Sequence, residues 1–275
     1  MFKITHAEQL AQQVYKIEVE APLIARKASA GQFAVLVIDE KSERIPLTLS
    51  AWDKKAGSIA LIFQTVGYTT QRLSRLKAGD SIQHILGPLG HPTGVENIGT
   101  VITVGGGVGI AEVWPVSRAF KEVGNRVIGI IGARSKDLLI LENEMKASCD
   151  ELYIVTDDGS YCEKGFVTDA LKNVLSSDAI RNTHNAILVY AIGPVPMMKA
   201  VSQLTKPLNI KTIVSLNPIM VDATGMCGAC RCTVAGKTRF ACVDGPDFDG
   251  HEVDFDELTK RLILFKEQEQ QCATK

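Results

Sequence analysis

The chain has 275 residues, of which 45% are hydrophobic and 22% are charged, and its formal net charge is −1. A charge this close to zero argues against bulk electrostatic binding, so we expect neither nucleic acid nor a membrane surface as a partner. The first residues contain no apolar signal-peptide core, and no window reaches the ~18 consecutive apolar residues that a spanning helix needs. These features predict a cytoplasmic protein with two domains of ordinary size and a small appendage.

Residues 1–98 have the pattern of an all-β domain. Residues 14–20 alternate between apolar and polar side chains with period two, and the apolar runs at 32–38 and 58–63 are bounded by Gly, Asp or Lys. Turn residues such as Ala78-Gly79-Asp80 separate runs of this kind. The spacing predicts a small antiparallel barrel of about six strands.

Residues 99–218 alternate between buried-strand and helical patterns. Continuous apolar runs such as 101–104 and 127–131 are typical of strands that are covered on both faces. Their alternation with helical patterns predicts a doubly wound parallel α/β sheet with right-handed crossovers. The predicted strands are 101–104, 127–131, 151–155, 186–190 and 213–216, and the predicted helices are 113–123, 138–147 and 166–175.

Residues 219–275 form a third region, rich in Gly, Cys and Asp, that ends in a helical pattern at 257–270. Four of the seven cysteines lie between Cys227 and Cys242. In a long chain such a cluster indicates metal ligation rather than a disulfide framework, and it implies a reducing compartment. The remaining cysteines, which we interpret as ordinary thiols, are Cys149, Cys162 and Cys272.

The spacing of the clustered cysteines is close to that of plant-type [2Fe–2S] sites, which have Cys-x4-Cys-x2-Cys and a distant fourth ligand. Cys227 and Cys230 have the x2 spacing, Cys242 follows beyond a predicted hairpin turn, and Asp222 stands at the first position. One possible ligand set is therefore Asp222 with these three cysteines, and the other contains Cys232 in place of Asp222. Chelate geometry favours the first set. Cys230 and Cys232 are two residues apart, so in an extended segment their side chains point the same way and are too close together to reach around a cluster easily. A zinc ribbon is a further alternative, although it would prefer two separated Cys-x2-Cys pairs.

A glycine-rich turn, Gly105-Gly106-Gly107-Val108-Gly109, connects the first predicted strand of the α/β domain to its first helix. Such a turn can bind a pyrophosphate through backbone N–H groups, although a tight turn without a ligand has the same pattern. No acidic residue that would bind a ribose is evident ~20 residues later, which argues against a common Rossmann dehydrogenase. Other candidate nucleotide contacts, each equally explained as a turn residue, follow later strands: Arg134, Asp157, Asp158, Gly193 and Pro194. Among them, Arg134 could contact an adenosine ribose or a 2′-phosphate.

Taken together, these segments resemble the ferredoxin–NADP reductase superfamily over essentially the whole chain. The flavin motif of that superfamily, Arg-x-Pro-x-Ser/Thr, is matched by Arg44, Pro46 and Thr48, and its Gly-x-Gly-Thr segment by residues 67–70, with Thr69 in place of a glycine. The resemblance implies an FAD-binding barrel, an NAD(H)-binding α/β domain and a small C-terminal [2Fe–2S] module. The flavin contacts that it implies are Arg44, Pro46, Leu47, Thr48, Leu49, Ile62, Phe63, Gln64, Gly67, Thr69 and Thr70.

Two families of this superfamily combine these three parts. They are the electron-transfer subunits of dihydroorotate dehydrogenase, which have a cysteine at the position of Asp222, and the small subunits of NADH-dependent reduced-ferredoxin:NADP oxidoreductase, which use one aspartate and three cysteines. Asp222 therefore favours the second family. The resemblance then implies an oxidoreductase subunit of the NAD(P)H–ferredoxin type that passes electrons between NAD(H), FAD and the cluster, without a catalytic acid or base.

The same resemblance implies a heterodimer with a larger iron–sulfur flavoprotein, which would bind NADP(H) and ferredoxin and would take part in electron bifurcation. One alternative within the class is an electron-transfer subunit of dihydroorotate dehydrogenase, of a hydrogenase or of a sulfite reductase. An alternative from another class is a zinc-containing, NAD-binding regulatory protein with no redox role.

Overall fold

The computed structural model describes residues 1–177, 180 and 186–264 of the chain. The chain packs into two compact units: unit 1 comprises Met1–Pro92, Asn217–Pro246 and Asp256–Lys275, and unit 2 comprises Thr93–Leu216 and Asp247–Phe255. The functional boundaries expected near residues 98 and 218 stay predictions. Among the described helices, none has the length and apolar character needed to cross a bilayer.

The N-terminal part of unit 1 is an antiparallel sheet that curls into a nearly closed barrel, with strand order β6-β1-β2-β5-β4-β3-β7. Its elements are β1 (Phe2–Ala11), β2 (Val14–Glu20), α1 (Pro22–Lys27), β3 (Phe33–Val37), β4 (Ile45–Asp53), β5 (Ser58–Gln64), α2 (Tyr68–Leu73), β6 (Ser81–Ile82) and β7 (His84–Leu89). The two end strands, β6 and β7, are separated in the chain by Gln83 alone. One interrupted strand thus pairs with β1 at one end and with β3 at the other, which confirms the predicted six-stranded barrel.

The barrel interior is filled by alternate residues of its strands. Ile59, Leu61 and Phe63 of β5 belong to one buried core together with Ile17 and Val19 of the neighbouring strand β2. Full burial of a side chain of this size contributes roughly 1.5–3 kcal/mol. The core therefore fixes the position of β5 and of its partner β4, which are the two strands that carry the predicted flavin segments.

Unit 2 is built on a parallel sheet with strand order β11-β10-β9-β8-β12-β13. Its elements are β8 (Gly99–Gly106), α3 (Ile110–Glu122), β9 (Arg126–Ala133), α4 (Glu142–Ser148), β10 (Glu151–Thr156), β11 (Glu163–Lys164), α5 (Val167–Ser176), β12 (Ala186–Ile192), α6 (Val195–Thr205) and β13 (Lys211–Ser215). The chain runs outward from β8 through β9 and β10 and then returns to β12 on the other side of β8. This order confirms the predicted doubly wound sheet and places its switch point between β8 and β12.

Two helices of unit 2 differ from the sequence prediction. The helix expected at 138–147 begins only at Glu142, because Leu141 has a left-handed backbone (φ 57°) that separates it from the preceding turn. Helix α6 was not predicted, since Pro194 was interpreted as a nucleotide contact or a turn residue; it is the residue before the helix, and Pro196 lies in the first helical turn. Proline is tolerated in the first helical turn, where its missing N–H has no partner to lose.

The segment 217–264 contributes to both units. It contains β14 (Arg231–Val234), β15 (Lys237–Phe240), β16 (Asp247–Asp249) and α7 (Phe255–Leu262). Ala235 and Gly236 connect β14 to β15 with positive φ angles of 51° and 70°, as a two-residue hairpin turn requires, so the predicted turn is confirmed. Strand β16 pairs antiparallel with β13 and extends the sheet of unit 2. The predicted C-terminal helix is present as α7, and its extension beyond 264 and Cys272 lie outside the described residues.

Candidate functional site

The loop before β14 has an unusual backbone conformation. Ala223, Gly225 and Gly228 all have left-handed φ angles, of 58°, 86° and 66° respectively. Left-handed residues interspersed among ordinary ones turn backbone N–H groups toward one side, and concavities of this kind bind anionic groups such as iron–sulfur clusters. The loop therefore fits a cluster on grounds that are independent of the cysteine spacing.

The four predicted ligands occur as two pairs of residues, one joined through its sulfur atoms and the other through a backbone hydrogen bond. The Sγ atoms of Cys230 and Cys242 are 3.2 Å apart, which is longer than a disulfide bond of about 2.05 Å. Two thiolates on one tetrahedral metal ion, with bonds of about 2.3 Å, would be roughly 3.8 Å apart. In the second pair, Oδ2 of Asp222 accepts the N–H of Cys227 at 2.8 Å. The described part of the chain holds no group of three or more His, Cys, Asp or Glu side chains around a single ion position.

Burial and hydrogen bonding shift the pKa values of two predicted ligands, Cys242 and Asp222, in opposite directions. Cys230 and Cys242 are buried, whereas Cys227 is exposed. Burial, together with the hydrogen bond from Cys230, raises the pKa of the Cys242 thiol to about 12, so Cys242 becomes a thiolate when a metal cation compensates the charge. The N–H of Thr224, 3.0 Å from Oδ1, holds the pKa of Asp222 below its ordinary value. Asp222 is therefore an oxygen donor that is already anionic at neutral pH.

Cys232, the alternative fourth ligand, has a partner within the hairpin. Its Sγ lies 3.7 Å from the carbonyl oxygen of Arg239, the residue opposite it in the β14–β15 register. The side chain is buried, and this burial raises the pKa of the thiol to about 12. The structure thus places Cys232 on the hairpin strand, whereas Asp222 lies beside Cys227 on the left-handed loop.

The glycine-rich turn between β8 and α3 meets two different steric requirements. A Cβ atom on Gly105 would lie 2.8 Å from Cγ1 of Val113, and one on Gly109 would lie 2.6 Å from the carbonyl oxygen of Ile192, so these glycines let α3 pack closely on the sheet. Gly107 has a left-handed φ of 58°, and a Cβ atom there would meet nothing within 4 Å. It therefore borders open space just before the 13-residue helix α3. This position suits a pyrophosphate whose oxygens accept hydrogen bonds from backbone N–H groups.

The end of β12 lies beside the same turn. A Cβ atom on Gly193 would be 3.1 Å from the carbonyl oxygen of Gly106, and one on Gly106 would be 2.5 Å from Sδ of Met197. Gly193-Pro194 and the glycine-rich turn therefore face each other across the switch point, where doubly wound sheets bind their ligands. The structure brings these two groups of predicted nucleotide contacts together.

Arg134, Asp157 and Asp158 lie at the carboxyl ends of the neighbouring strands β9 and β10. The N–H of Asp158 donates to the carbonyl oxygen of Arg134 at 3.2 Å, and all three side chains are exposed. The hydroxyl and N–H of Ser160 hold the pKa of Asp158 below its ordinary value. Arg134 is one strand away from the glycine-rich turn and the two aspartates are two strands away, so Arg134 is the better placed for a nucleotide.

In the barrel, the predicted flavin residues near α2 and β4 are available to a ligand. Arg44 is exposed, and within the described residues it forms no ion pair. A Cβ atom on Gly67 would meet nothing within 4 Å. Thr69 is 2% exposed and its Oγ1 has no hydrogen-bond partner in the described part of the protein. An unpaired buried hydroxyl costs about 1–3 kcal/mol, so a ligand atom that bonds to Thr69 would remove this penalty, which fits FAD.

Other predicted flavin residues have structural roles of their own. Oγ1 of Thr70 accepts the N–H groups of Val66 and Gly67 at 3.1 Å each and so holds the turn before α2. Leu49 and Phe63 belong to the barrel core, so only their backbone groups can meet a ligand. Ile62 is also buried, and the half-buried members of the set are Pro46, Leu47, Thr48 and Gln64.

The sequence did not indicate two residues with distinctive surroundings. In unit 2 the carboxylate of Asp247 is buried, and it accepts hydrogen bonds from Thr93 Oγ1 at 2.6 Å and from the Tyr190 hydroxyl at 3.0 Å. This burial raises the pKa of Asp247 to about 6. In unit 1, Nη2 of Arg261 on α7 donates to the carbonyl oxygen of Ala229 in the cysteine loop at 3.0 Å. Neither residue belongs to a local motif, because its partners are distant in the sequence.

Comparison with known proteins agrees with this geometry. A family model described as the iron–sulfur cluster binding domain of dihydroorotate dehydrogenase B matches residues 217–254, which include all four predicted cluster ligands. A chain in the structure of an NADH-dependent reduced ferredoxin-NADP oxidoreductase, a structure reported for flavin-based electron bifurcation, matches with a TM-score of 0.93 and 42% identity. The match covers 100% of this chain and 97% of that chain.

More distant structures share the fold alone. A ferredoxin NADP+ reductase from Neisseria gonorrhoeae with bound FAD and NADP is 17% identical, with a TM-score of 0.60, and the match covers 75% of this chain and 89% of that chain. Among sequence relatives, the dihydroorotate dehydrogenase B (NAD(+)) electron transfer subunit homolog of Thermotoga maritima is 46% identical over 267 residues, which is 97% of this chain and 92% of the relative. The chain therefore belongs to the family of dihydroorotate dehydrogenase B electron-transfer subunits and their homologues, within the ferredoxin–NADP reductase fold.

Proposed function

We propose that the chain is the electron-transfer subunit of an oxidoreductase and that it passes electrons between NAD(H), FAD and a [2Fe–2S] cluster to a larger partner. The observation that carries this proposal is the left-handed loop, on which Cys230 lies 3.2 Å from Cys242 and Asp222 is hydrogen-bonded to Cys227. A two-iron cluster needs two protein ligands on each iron, and the four residues lie as two neighbouring pairs, Cys230 with Cys242 and Asp222 with Cys227.

Asp222, Cys227, Cys230 and Cys242 would hold the cluster, which exchanges one electron at a time when it is bound. The chain would compensate the negative charge of the cluster and fix its position. Backbone N–H groups of the left-handed loop compensate the negative charge of a bound cluster, and burial of the Cys230–Cys242 pair excludes water from one side. The oxygen donor of Asp222 changes the electron density at its metal relative to a thiolate.

FAD would lie against the barrel, and it supplies the link between two-electron hydride chemistry and single-electron steps. Exposed Arg44 would pair with the diphosphate, since guanidinium groups bind such oxygens bidentately. Thr48 on β4 would hydrogen-bond the edge of the isoalloxazine ring. The buried hydroxyl of Thr69, which has no partner among the described residues, would bond to the flavin and thereby fix its position.

NAD(H) would bind at the switch point of unit 2, and its nicotinamide is a donor or acceptor of hydride. The open backbone of Gly107 and the N-terminus of α3 would bind the pyrophosphate. Gly193 and Pro194 would line the opposite side of the nucleotide site. Arg134 would contact the adenosine ribose. These residues bind and orient the nucleotide, and none of them has to act as an acid or a base.

The identity of the partner is a finer proposal. Asp222 in place of the first cysteine, with the TM-score of 0.93 to a chain of the bifurcating oxidoreductase, supports a heterodimer with a larger iron–sulfur flavoprotein that reacts with NADP(H) and ferredoxin. A dihydroorotate dehydrogenase subunit is the second candidate, favoured by the matching family model and the 46% identical relative. The six described cysteines are free thiols, which supports a cytoplasmic location.

An anaerobic EPR spectrum of the iron-loaded chain after addition of NADH tests the proposal. We expect a rhombic [2Fe–2S] signal, because electrons from NADH would reach the cluster through the flavin. A signal with dithionite but not with NADH would contradict the nucleotide or flavin assignment, and silence with both reductants would refute the cluster. Reconstitution of electron transfer with each candidate larger subunit then distinguishes the two partners.

A further inference from the structure

The left-handed loop before β14, which carries Asp222, Cys227 and Cys230, is contacted by the C-terminal helix of unit 1. Helix α7 is anchored by Leu258, which is fully buried, and it extends Arg261 to the loop. Nη2 of Arg261 donates to the carbonyl oxygen of Ala229 at 3.0 Å. Ala229 lies between two predicted cluster ligands, Cys227 and Cys230, so this hydrogen bond acts at the centre of the Cys-x2-Cys segment.

The hydrogen bond fixes the orientation of one peptide group in that segment. The peptide between Ala229 and Cys230 is trans, so its N–H points away from its carbonyl oxygen. When Arg261 holds the carbonyl oxygen of Ala229 on the α7 side, the N–H of Cys230 faces the opposite side. The N–H of Ala229 itself already lies 3.5 Å from Sγ of Cys227. Arg261 therefore fixes the direction of this carbonyl dipole, while the N–H of Ala229 lies beside the sulfur of Cys227.

Arg261 also places a positive charge at the ligand loop, because its guanidinium group donates to the carbonyl oxygen of Ala229, between the predicted ligands Cys227 and Cys230. Nε of Arg261 is buried and has no hydrogen-bond partner within the described chain. A buried, unpaired N–H of a cation is unfavourable unless an acceptor is supplied, and the sulfur atoms of a bound cluster are negatively charged hydrogen-bond acceptors.

We propose that Arg261 is a positioning residue for the [2Fe–2S] cluster: it holds the ligand loop through Ala229 and raises the reduction potential of the cluster with its charge. This inference rests on the proposed function. An electron added to an anionic cluster is stabilised by a nearby cation, so the reduced state is favoured while Arg261 is present.

The test is an EPR-monitored redox titration of the full-length, iron-loaded chain, with R261M, R261K and R231M compared with the unaltered protein. Arg231 is the matched control, because it is exposed and its Nη1 donates to the carbonyl oxygen of Gly228 on the same loop at 3.2 Å. We expect R261M to shift the one-electron equilibrium at least tenfold toward the oxidised cluster, which corresponds to about 59 mV. R231M should shift it less than threefold, and R261K, which keeps the charge, should recover most of the potential.

The second readout is the rate at which a chelator removes iron, which reports on the loop rather than on the charge. R261M and R261K should both lose iron several times faster than R231M, since neither can reproduce the planar guanidinium contact with Ala229. If R261M matches R231M in both potential and iron loss, the inference is overturned. It is also overturned if R261K lowers the potential as far as R261M does. Absence of any [2Fe–2S] signal in the unaltered chain would instead refute the proposed function itself.

Discussion

Replacement of Asp247 by asparagine should make unit 2 more stable than in the parent protein, and this difference in unfolding free energy should grow as the pH rises. The carboxylate is buried beside Thr93 and Tyr190, and burial raises its pKa to about 6 from an ordinary value of 3.8. A carboxyl group with a raised pKa binds its proton more tightly in the folded state. Its contribution to the free energy of unfolding is therefore fully present below pH ~4 and is lost as the pH rises through ~6.

The size of this effect follows from the shift in pKa. One pKa unit corresponds to about 1.4 kcal/mol, so a shift of about two units destabilises the ionised protein by about 3 kcal/mol at neutral pH. The amide of D247N keeps an acceptor oxygen for one of the two hydroxyl donors and carries no charge at any pH. Relative to the parent protein, D247N should therefore gain about 2–3 kcal/mol in unfolding free energy between pH 4 and pH 7.

Urea unfolding at a series of pH values measures this difference. The chain has two tryptophans, of which Trp52 belongs to unit 1 and Trp114 to unit 2, so fluorescence in a W52F background reports on unit 2. Asp249, exposed two residues later on the same strand, provides the control variant D249N. A stability difference between D247N and its parent that is the same at pH 4 and pH 7 would show that the buried carboxylate does not titrate as argued.

Three further outcomes are expected. C230S should lose the [2Fe–2S] absorbance and bound iron, whereas C162S, at an exposed cysteine outside the loop, should keep both; equal iron content in the two variants would contradict the ligand assignment. G107A should weaken NADH binding at least tenfold, by ~1.4 kcal/mol or more, because alanine is strained at a φ of 58° and its Cβ occupies the open space beside the backbone. G124A, which is strained at a φ of 90° after α3, is the control for stability alone. Equal NADH affinities of the two variants would refute the site. T69V should raise the melting temperature of the FAD-free chain and weaken FAD binding, because it removes the unpaired buried hydroxyl; unchanged FAD affinity by fluorescence titration would argue against a role for Thr69.

The parts of the fold that depend on local patterns could be predicted from the sequence. Period-two alternation at 14–20 and short apolar runs between turn residues predicted the barrel strands, and continuous apolar runs between helical patterns predicted the parallel sheet, because each pattern records which faces of a strand are buried. The hairpin after β14 was likewise predictable from Gly236, since glycine suits a positive φ angle, although Ala235 adopts one as well without being a favoured residue type. The cysteine spacing indicated the metal site for a similar reason, as three of its ligands lie on one segment.

The features that the sequence did not indicate depend on contacts between distant residues. Asp247 lies 57 residues from Tyr190 and 154 residues from Thr93, so no window of sequence contains the network that shifts its pKa. Arg261 is 32 residues from Ala229 and stands in a helix whose charged residues look like an ordinary solvated face. The late start of α4 was also missed, because the left-handed conformation of Leu141 has no signature in its residue type.

The division of the chain between the two units has a consequence for engineering. The backbone passes from one unit to the other at four points, after residues 92, 216, 246 and 255. The nucleotide-binding unit is thus not one continuous stretch of sequence, and a fragment that ends at residue 216 would lack β16 and the Asp247 network. A chimera that exchanges this unit for that of a relative, for example to alter coenzyme preference, would need all four junctions to be matched.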